Sequence, residues 1–187
     1  MSERFDIKPA QMKGLNIVAR KPIGDSRGWF ERVFCMDALQ DVMGCRNLVQ
    51  INRTLTEKMG AVRGMHFQSG LSAEMKIVSC LRGEVFDVVV DLRAGSATFL
   101  QWHAELLSAD NRKTLVIPEG FAHGFQTLTE DCEMLYLHTA AYNPIDEEGL
   151  NPMDPSIAIT WPIPLTHLSK CDAGRPMIAA GYKGVSL

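Results

Sequence analysis

Apolar and polar residues alternate over short stretches along most of this chain, the period-two signature of half-buried strands, and turn-forming residues break the pattern at short intervals. Residues 15–20 read as a first strand, and Asp25-Ser26-Arg27-Gly28 as a turn leading into a second at 29–34. Helical spacing is clear early on only at 36–43, where Gly44 supplies a C-cap. Strands then dominate, at 48–54, 61–68, 75–81, 84–92, 99–106, 114–117, 124–128 and 133–139. Arg82-Gly83, Ala94-Gly95-Ser96, Asp110-Asn111 and Glu119-Gly120 are turns among them. Many short strands of this kind predict an all-β sandwich, jelly roll or barrel and argue against a doubly wound α/β fold. From Pro144 onward the chain is rich in Pro and Asp with little periodicity until Leu168, which predicts loops and a short terminal helix or turn packed on the barrel.

Composition narrows the function classes. A length of 187 residues suits one domain spanning 1–187, and 46% hydrophobic with 22% charged residues lies near globular averages. Apolar runs such as Val88 to Val90 are far too short to span a bilayer, so no membrane partner is expected. Residues 1–8 lack the apolar stretch of a signal peptide, which predicts a cytoplasmic location. Cys35, Cys45, Cys80, Cys132 and Cys171 are odd in number and contain no CxxC pair, so reduced thiols are expected rather than a disulfide framework or a zinc ribbon. A net charge of -3 gives no case for nucleic-acid binding, and an anionic ligand must be held by locally placed Arg and Lys.

Several polar residues sit oddly in these strands. His66 lies in Arg63-Gly64-Met65-His66-Phe67-Gln68, and strict alternation would put Arg63 and His66 on opposite faces. A bulge at Gly64 would re-aim one of them. Lys76 shares strand parity with Val78 and Cys80, an unusual place for a lysine without a partner or a task. Asp87 and Asp91 lie in an apolar strand and need partners, such as a histidine, a lysine or Arg93, and a structural role fits them best. His123 occupies a glycine-flanked turn, but the histidines do not form the GxHxH-type pair of metal-binding cupins, so no metal is expected. Tyr136 shares a face with Met134 and His138, and Tyr142 follows six residues later.

In order and spacing these pieces resemble the dTDP-4-dehydrorhamnose 3,5-epimerase family. The likeness runs from Asp25 to about Asp172 and includes DSRGWF at 25–30, Gln50-Ile51-Asn52, VRGMHFQ at 62–68, and Lys76 ten residues after the histidine. It continues through GEVFDVVVDLR at 83–93, Leu107-Ser108, IPEGFAHGF at 117–125, the paired tyrosines, Asp154-Pro155 and Trp161-Pro162. The resemblance implies a cupin-type double-stranded β-helix that needs no cofactor and no metal, working as a homodimer whose subunits lend strand residues to each other's sites. It implies that His66 removes a proton beside the C4 ketone with Asp172 orienting its imidazole, that Lys76 steadies the enolate oxygen, and that Tyr136 returns a proton from the opposite face. Arg27, Gln50, Asn52, Arg63, His123 and Glu147 would contact the nucleotide-sugar, and Tyr142 would stack on the base. The expected reaction is inversion at C3, C5 or both of a nucleoside-diphosphate-4-keto-6-deoxyhexose, foremost dTDP-4-dehydro-6-deoxy-D-glucose to dTDP-4-dehydro-L-rhamnose. A single-site epimerase, a ketoisomerase and a non-catalytic sugar-nucleotide-binding cupin stay open. Arg32 stands where the family commonly has glutamate, with Glu31 one place earlier, and Cys171 stands where it has lysine, which leaves the nucleotide base open.

Overall fold

The computed structural model of the chain describes residues 3–187. Strands β1 (Phe5–Pro9) and β2 (Asn16–Arg20) open the chain, followed by a small hairpin of β3 (Ile23–Asp25) and β4 (Gly28–Phe30). A 3-10 turn at Asp37–Leu39 runs into the one-turn helix α1 (Gln40–Met43), which closes at Gly44 with φ +61. The central strands are β5 (Gln50–Thr56), β6 (Ala61–Gln68), β7 (Lys76–Arg82), β8 (Glu84–Asp91), β9 (Trp102–Ser108), β10 (Lys113–Ile117), β11 (Phe121–Thr127) and β12 (Cys132–His138). The chain ends with β13 (Glu147–Gly149), β14 (His167–Leu168) and helix α2 (Lys170–Ala173).

Apart from the separate β3-β4 hairpin, two sheets hold these strands, one in the order β1-β2-β10-β7-β12-β5 and the other β13-β6-β11-β8-β9 with β14 also on β6. From β5 to β12 the chain crosses repeatedly between the sheets, giving the cupin-type double-stranded β-helix. Because each strand presents alternate residues to the inside, the space between the sheets fills with Val78, Cys80, Val85, Val89, Leu115, Phe121, Phe125 and Met134. The outer faces are covered as well. Leu39 and Met43 pack on Ile77, Val116 and Leu137 of the first sheet, while Ile159, Trp161, Ile178 and Tyr182 from the chain's end cover Val88, Val90 and Ala122 of the second. Burial on both faces explains why Val88 to Val90 is a continuous apolar run rather than an alternating one.

The observed strands match the expected ones to within a few residues, and the short terminal helix is α2. Four strands, β1, β3, β13 and β14, have no counterpart in the sequence reading. β1 extends β2 through a register from Phe5 opposite Arg20 to Pro9 opposite Asn16. β13 and β14 add only three and two residues to β6, too few for a period to show.

Candidate functional site

Residues of β5, β6, β7, β11 and β12, together with the segment around α2, line a cavity of about 820 Å³, within the usual range of ligand pockets. Its walls depend on an irregularity in β6. Arg63 pairs with Phe125 and His66 with His123, so three steps on β6 match two on β11. This is the bulge anticipated at Gly64, and it brings Arg63 and His66 onto the same cavity. Glycine is required there: its φ is +129, and a Cβ would lie 2.5 Å from Gly124 Cα and 2.9 Å from the His123 carbonyl oxygen.

His66 meets Asp172, 106 residues away, through a hydrogen bond of 2.6 Å between Nε2 and Oδ1. The carboxylate is fixed in turn by the first turn of α2, where Ser169 Oγ accepts from the Asp172 backbone N–H. Burial would raise the Asp172 pKa, but hydrogen bonds, chiefly from His66 and then Ser169, hold it below the ordinary aspartate value. With Nε2 committed to Asp172, Nδ1 of His66 is the nitrogen left for a ligand. Lys76 lies on the neighbouring wall, its Nζ donating to the His66 carbonyl oxygen at 3.4 Å and pairing with Glu74 Oε1 at 3.3 Å. Across the cavity, burial pushes the Tyr136 phenol well above the ordinary tyrosine pKa, so it keeps its proton. The edge of His123 packs against this ring at 6.2 Å and 70°.

Behind His123, its Nε2 is 2.9 Å from Asp87 Oδ2. Asp87 is fully buried, and desolvation raises its pKa against the opposing pull of the imidazole. Its partner is therefore the histidine that the strand context called for, and Asp87 orients a cavity residue without lining the cavity itself. Asp91 has the structural role expected of it: it accepts from Arg93 Nε at 2.9 Å and Nη2 at 2.7 Å, and from Ser96 and Thr98.

Of the eleven site residues read from the sequence, His66, Lys76, Tyr136, Asp172, Asn52, Arg63, His123, Tyr142 and Glu147 share this cavity. Tyr142 stands at its rim, 55% exposed, and donates its hydroxyl to Glu147 Oε2 at 2.7 Å. The other two, Gln50 and Arg27, lie outside the cavity of this subunit. The Gln50 Oε1 accepts a hydrogen bond from the Tyr142 backbone N–H at 3.1 Å. Arg27 is on the exposed β3-β4 hairpin, paired with Asp25, away from the cavity. Glu31 is equally remote, buried between Arg20 Nε at 3.5 Å and Arg112 Nε at 3.4 Å.

Cys171 lines the cavity, and the lining residues that the sequence reading did not assign include Glu74, His138, Ser169 and Arg175. Glu74 precedes its strand and shows no pattern of its own, whereas the parity His138 shares with Tyr136 was a usable signal. Among the described residues, no three His, Cys, Asp or Glu side chains converge in a way that could hold a metal ion. No helix among them is long and apolar enough to cross a membrane.

Comparison with known proteins gives a consistent result. Residues 9–180 match the family model described as dTDP-4-dehydrorhamnose 3,5-epimerase. A protein of that name from Salmonella typhimurium is 43% identical over 164 residues, covering 87% of this chain and 89% of the relative. A dTDP-4-dehydrorhamnose 3-epimerase from Streptomyces niveus is 34% identical, covering 92% and 84%. The crystal structure of a dTDP-6-deoxy-D-glucose-3,5-epimerase from Legionella pneumophila in complex with dTDP-4-keto-L-rhamnose superposes with a TM-score of 0.88, at 38% identity and 92% coverage of both chains.

Proposed function

This chain belongs to the dTDP-4-dehydrorhamnose 3,5-epimerase family, and on that premise we propose that it inverts both C3 and C5 of dTDP-4-keto-6-deoxy-D-glucose by way of enolates at the C4 ketone. The observation that carries this reading is the convergence of the His66-Asp172 pair, the Lys76 ammonium and the Tyr136 phenol on one cavity. A carbon beside a ketone ionises at neutral pH only if a base is close and the developing oxyanion meets a fixed cation or donor. His66 Nδ1 takes the proton, and Asp172 steadies the resulting imidazolium. Lys76 meets the oxygen. An ammonium has three donors, and with two engaged by Glu74 and the His66 carbonyl the third remains for the enolate. Tyr136 returns a proton to the opposite face of the ring, and its raised pKa suits a group that must arrive protonated. Arg63, Asn52, His123 and Glu147 contact the nucleotide-sugar, and Tyr142 at the rim stacks on the base.

The working unit in this proposal is a cytoplasmic homodimer of one-domain subunits, needing neither cofactor nor metal. The five cysteines are all free, as suits a reducing compartment. Trp29 and Phe30 on the hairpin are 63% and 61% exposed, and Ile51 on the edge strand β5 is 62% exposed. Apolar side chains of this size on a hairpin and an open strand edge suit a second copy of the chain, whose cavity would then receive Arg27.

The test is incubation with dTDP-4-keto-6-deoxy-D-glucose in D2O, followed by NMR of deuterium at C3 and C5. Wild type incorporates deuterium at both carbons and forms the L-rhamno product. His66→Ala abolishes exchange at both, while Tyr136→Phe retains proton removal but fails to complete inversion. Full exchange by the His66 variant would refute the assigned base. The 34% identity to a 3-epimerase favours one second reading, and exchange confined to C3 would establish it.

A further inference from the structure

Glu74 and His138 lie in the cavity wall, nearly buried, and take no part in the chemistry assigned above. Their place follows from the pairing of β7 with β12. Lys76 is directly opposite His138, which on its other side faces Gln50 of β5. Just before β7, the Met75 backbone N–H donates to Thr139 Oγ1 at 2.8 Å and the Thr139 N–H to the Met75 carbonyl at 3.2 Å, so the strand ends are clamped together. Glu74 is thereby held against both neighbours. Its Oε2 is 2.7 Å from His138 Nδ1, and its Oε1 is 3.3 Å from Lys76 Nζ.

The imidazole reaches two more residues of the cavity. Its Nε2 is 3.3 Å from Asn52 Nδ2, an arrangement satisfied when the ring proton is on Nδ1 toward Glu74 and Nε2 accepts from the amide. Its face stacks on Tyr136, with ring centroids 6.2 Å apart and planes 25° from parallel. One carboxylate-imidazole pair therefore touches the ammonium, the phenol ring and a substrate-facing amide.

Those groups differ in how much help they need. A lysine has a long, flexible stem, and one whose ammonium must sit on an enolate oxygen needs fixed acceptors behind it. A phenol that delivers a proton needs its ring plane held. Misplacing either by about 1 Å is enough to cost roughly a hundredfold in rate. We propose that Glu74 and His138 act as a positioning pair that fixes the Lys76 ammonium and the Tyr136 ring for proton transfer. This rests on the epimerase reading. It goes beyond that reading in giving a task to two residues that need not touch the substrate.

The experiment measures kcat and KM for deuterium incorporation from D2O into dTDP-4-keto-6-deoxy-D-glucose. Wild type is compared with Glu74→Gln, His138→Phe and the double variant, with a thermal melt of each. His138→Phe keeps a ring on Tyr136 but removes the donor to Glu74, and Glu74→Gln keeps the shape but removes the charge. Each single variant is expected to lose about ten- to a hundredfold in kcat with KM within about threefold of wild type. The double variant is expected to be no more than about twofold slower than the slower single, because the two residues act through one contact. Unchanged kcat, a rise in KM at constant kcat, or fully additive losses would each overturn the proposal. Should Glu74→Gln fail to fold, the kcat and KM of His138→Phe decide the matter alone. Wild-type protein that exchanges no deuterium would sink the epimerase reading itself, whereas wild-type exchange matched by both variants would sink only this inference.

Discussion

Single side chains here owe their charge to a few fixed contacts. Asp172 and Asp91 are both held below the ordinary aspartate value, although burial acts on each in the opposite direction. For Asp91 the hydrogen bonds from Arg93, Ser96 and Thr98 bring the pKa to about 2. A carboxyl depressed in the folded state stabilises the fold above its unfolded pKa, near 3.9, and loses that contribution as pH falls through the folded value. Asp91→Asn should therefore destabilise the protein at pH 6 by about 3 kcal/mol, since it leaves the Arg93 guanidinium without its buried partner. In urea titrations the gap between variant and wild type should narrow from pH 4 toward pH 2. A gap independent of pH would show that the charge on Asp91 is not what holds this loop. Arg93, two residues along, was legible as a partner because the two are close in sequence. The partner of Asp87 was legible only as a residue type, since His123 is 36 positions away and meets it through the β8-β11 register.

Among the elements, β6 carries the most function for its length. Its bulge turns an alternating strand into one with Arg63 and His66 on the same cavity, and Gly64 is the residue that permits it. Gly64→Ala would drive a Cβ into Gly124 of β11, with cost in stability and in site geometry together. The expected loss is about 2 to 4 kcal/mol, read as a lower urea midpoint, with kcat of the remaining folded protein reduced about tenfold or more. An alanine variant with wild-type melting and turnover would show that the bulge does not need glycine. The sequence pointed to the bulge because a glycine lay between two residues of opposite parity. It gave no hint of β13 and β14, since strands of three and two residues form only where β6 offers an edge to pair with.

For the molecule as a whole, the hairpin and the β5 edge present apolar surface that a second copy would cover. Replacing Ile51 with Lys, on an exposed position of β5, is expected to shift sedimentation from dimer to monomer while leaving the circular dichroism spectrum unchanged. Because Arg27 lies outside its own subunit's cavity, monomerisation should raise KM about tenfold or more, roughly the loss of one charged contact to a diphosphate. A monomeric variant with unaltered KM would remove Arg27 from the site. By itself the sequence determined the all-β class, the position of the central strands to within a few residues, and which polar side chains stood out in apolar surroundings. These follow from local rules: period-two burial, turn chemistry and the cost of hiding a charge without a partner. The His66-Asp172 pairing across 106 residues was implied by the family resemblance and by no local pattern, and only the tertiary structure decided that Glu74 and His138 would back Lys76 and Tyr136 and that Gln50 and Arg27 would stand apart from the cavity. The reason is that strand register and the crossing between sheets fix distances among residues far apart in the chain, and no local pattern carries that information.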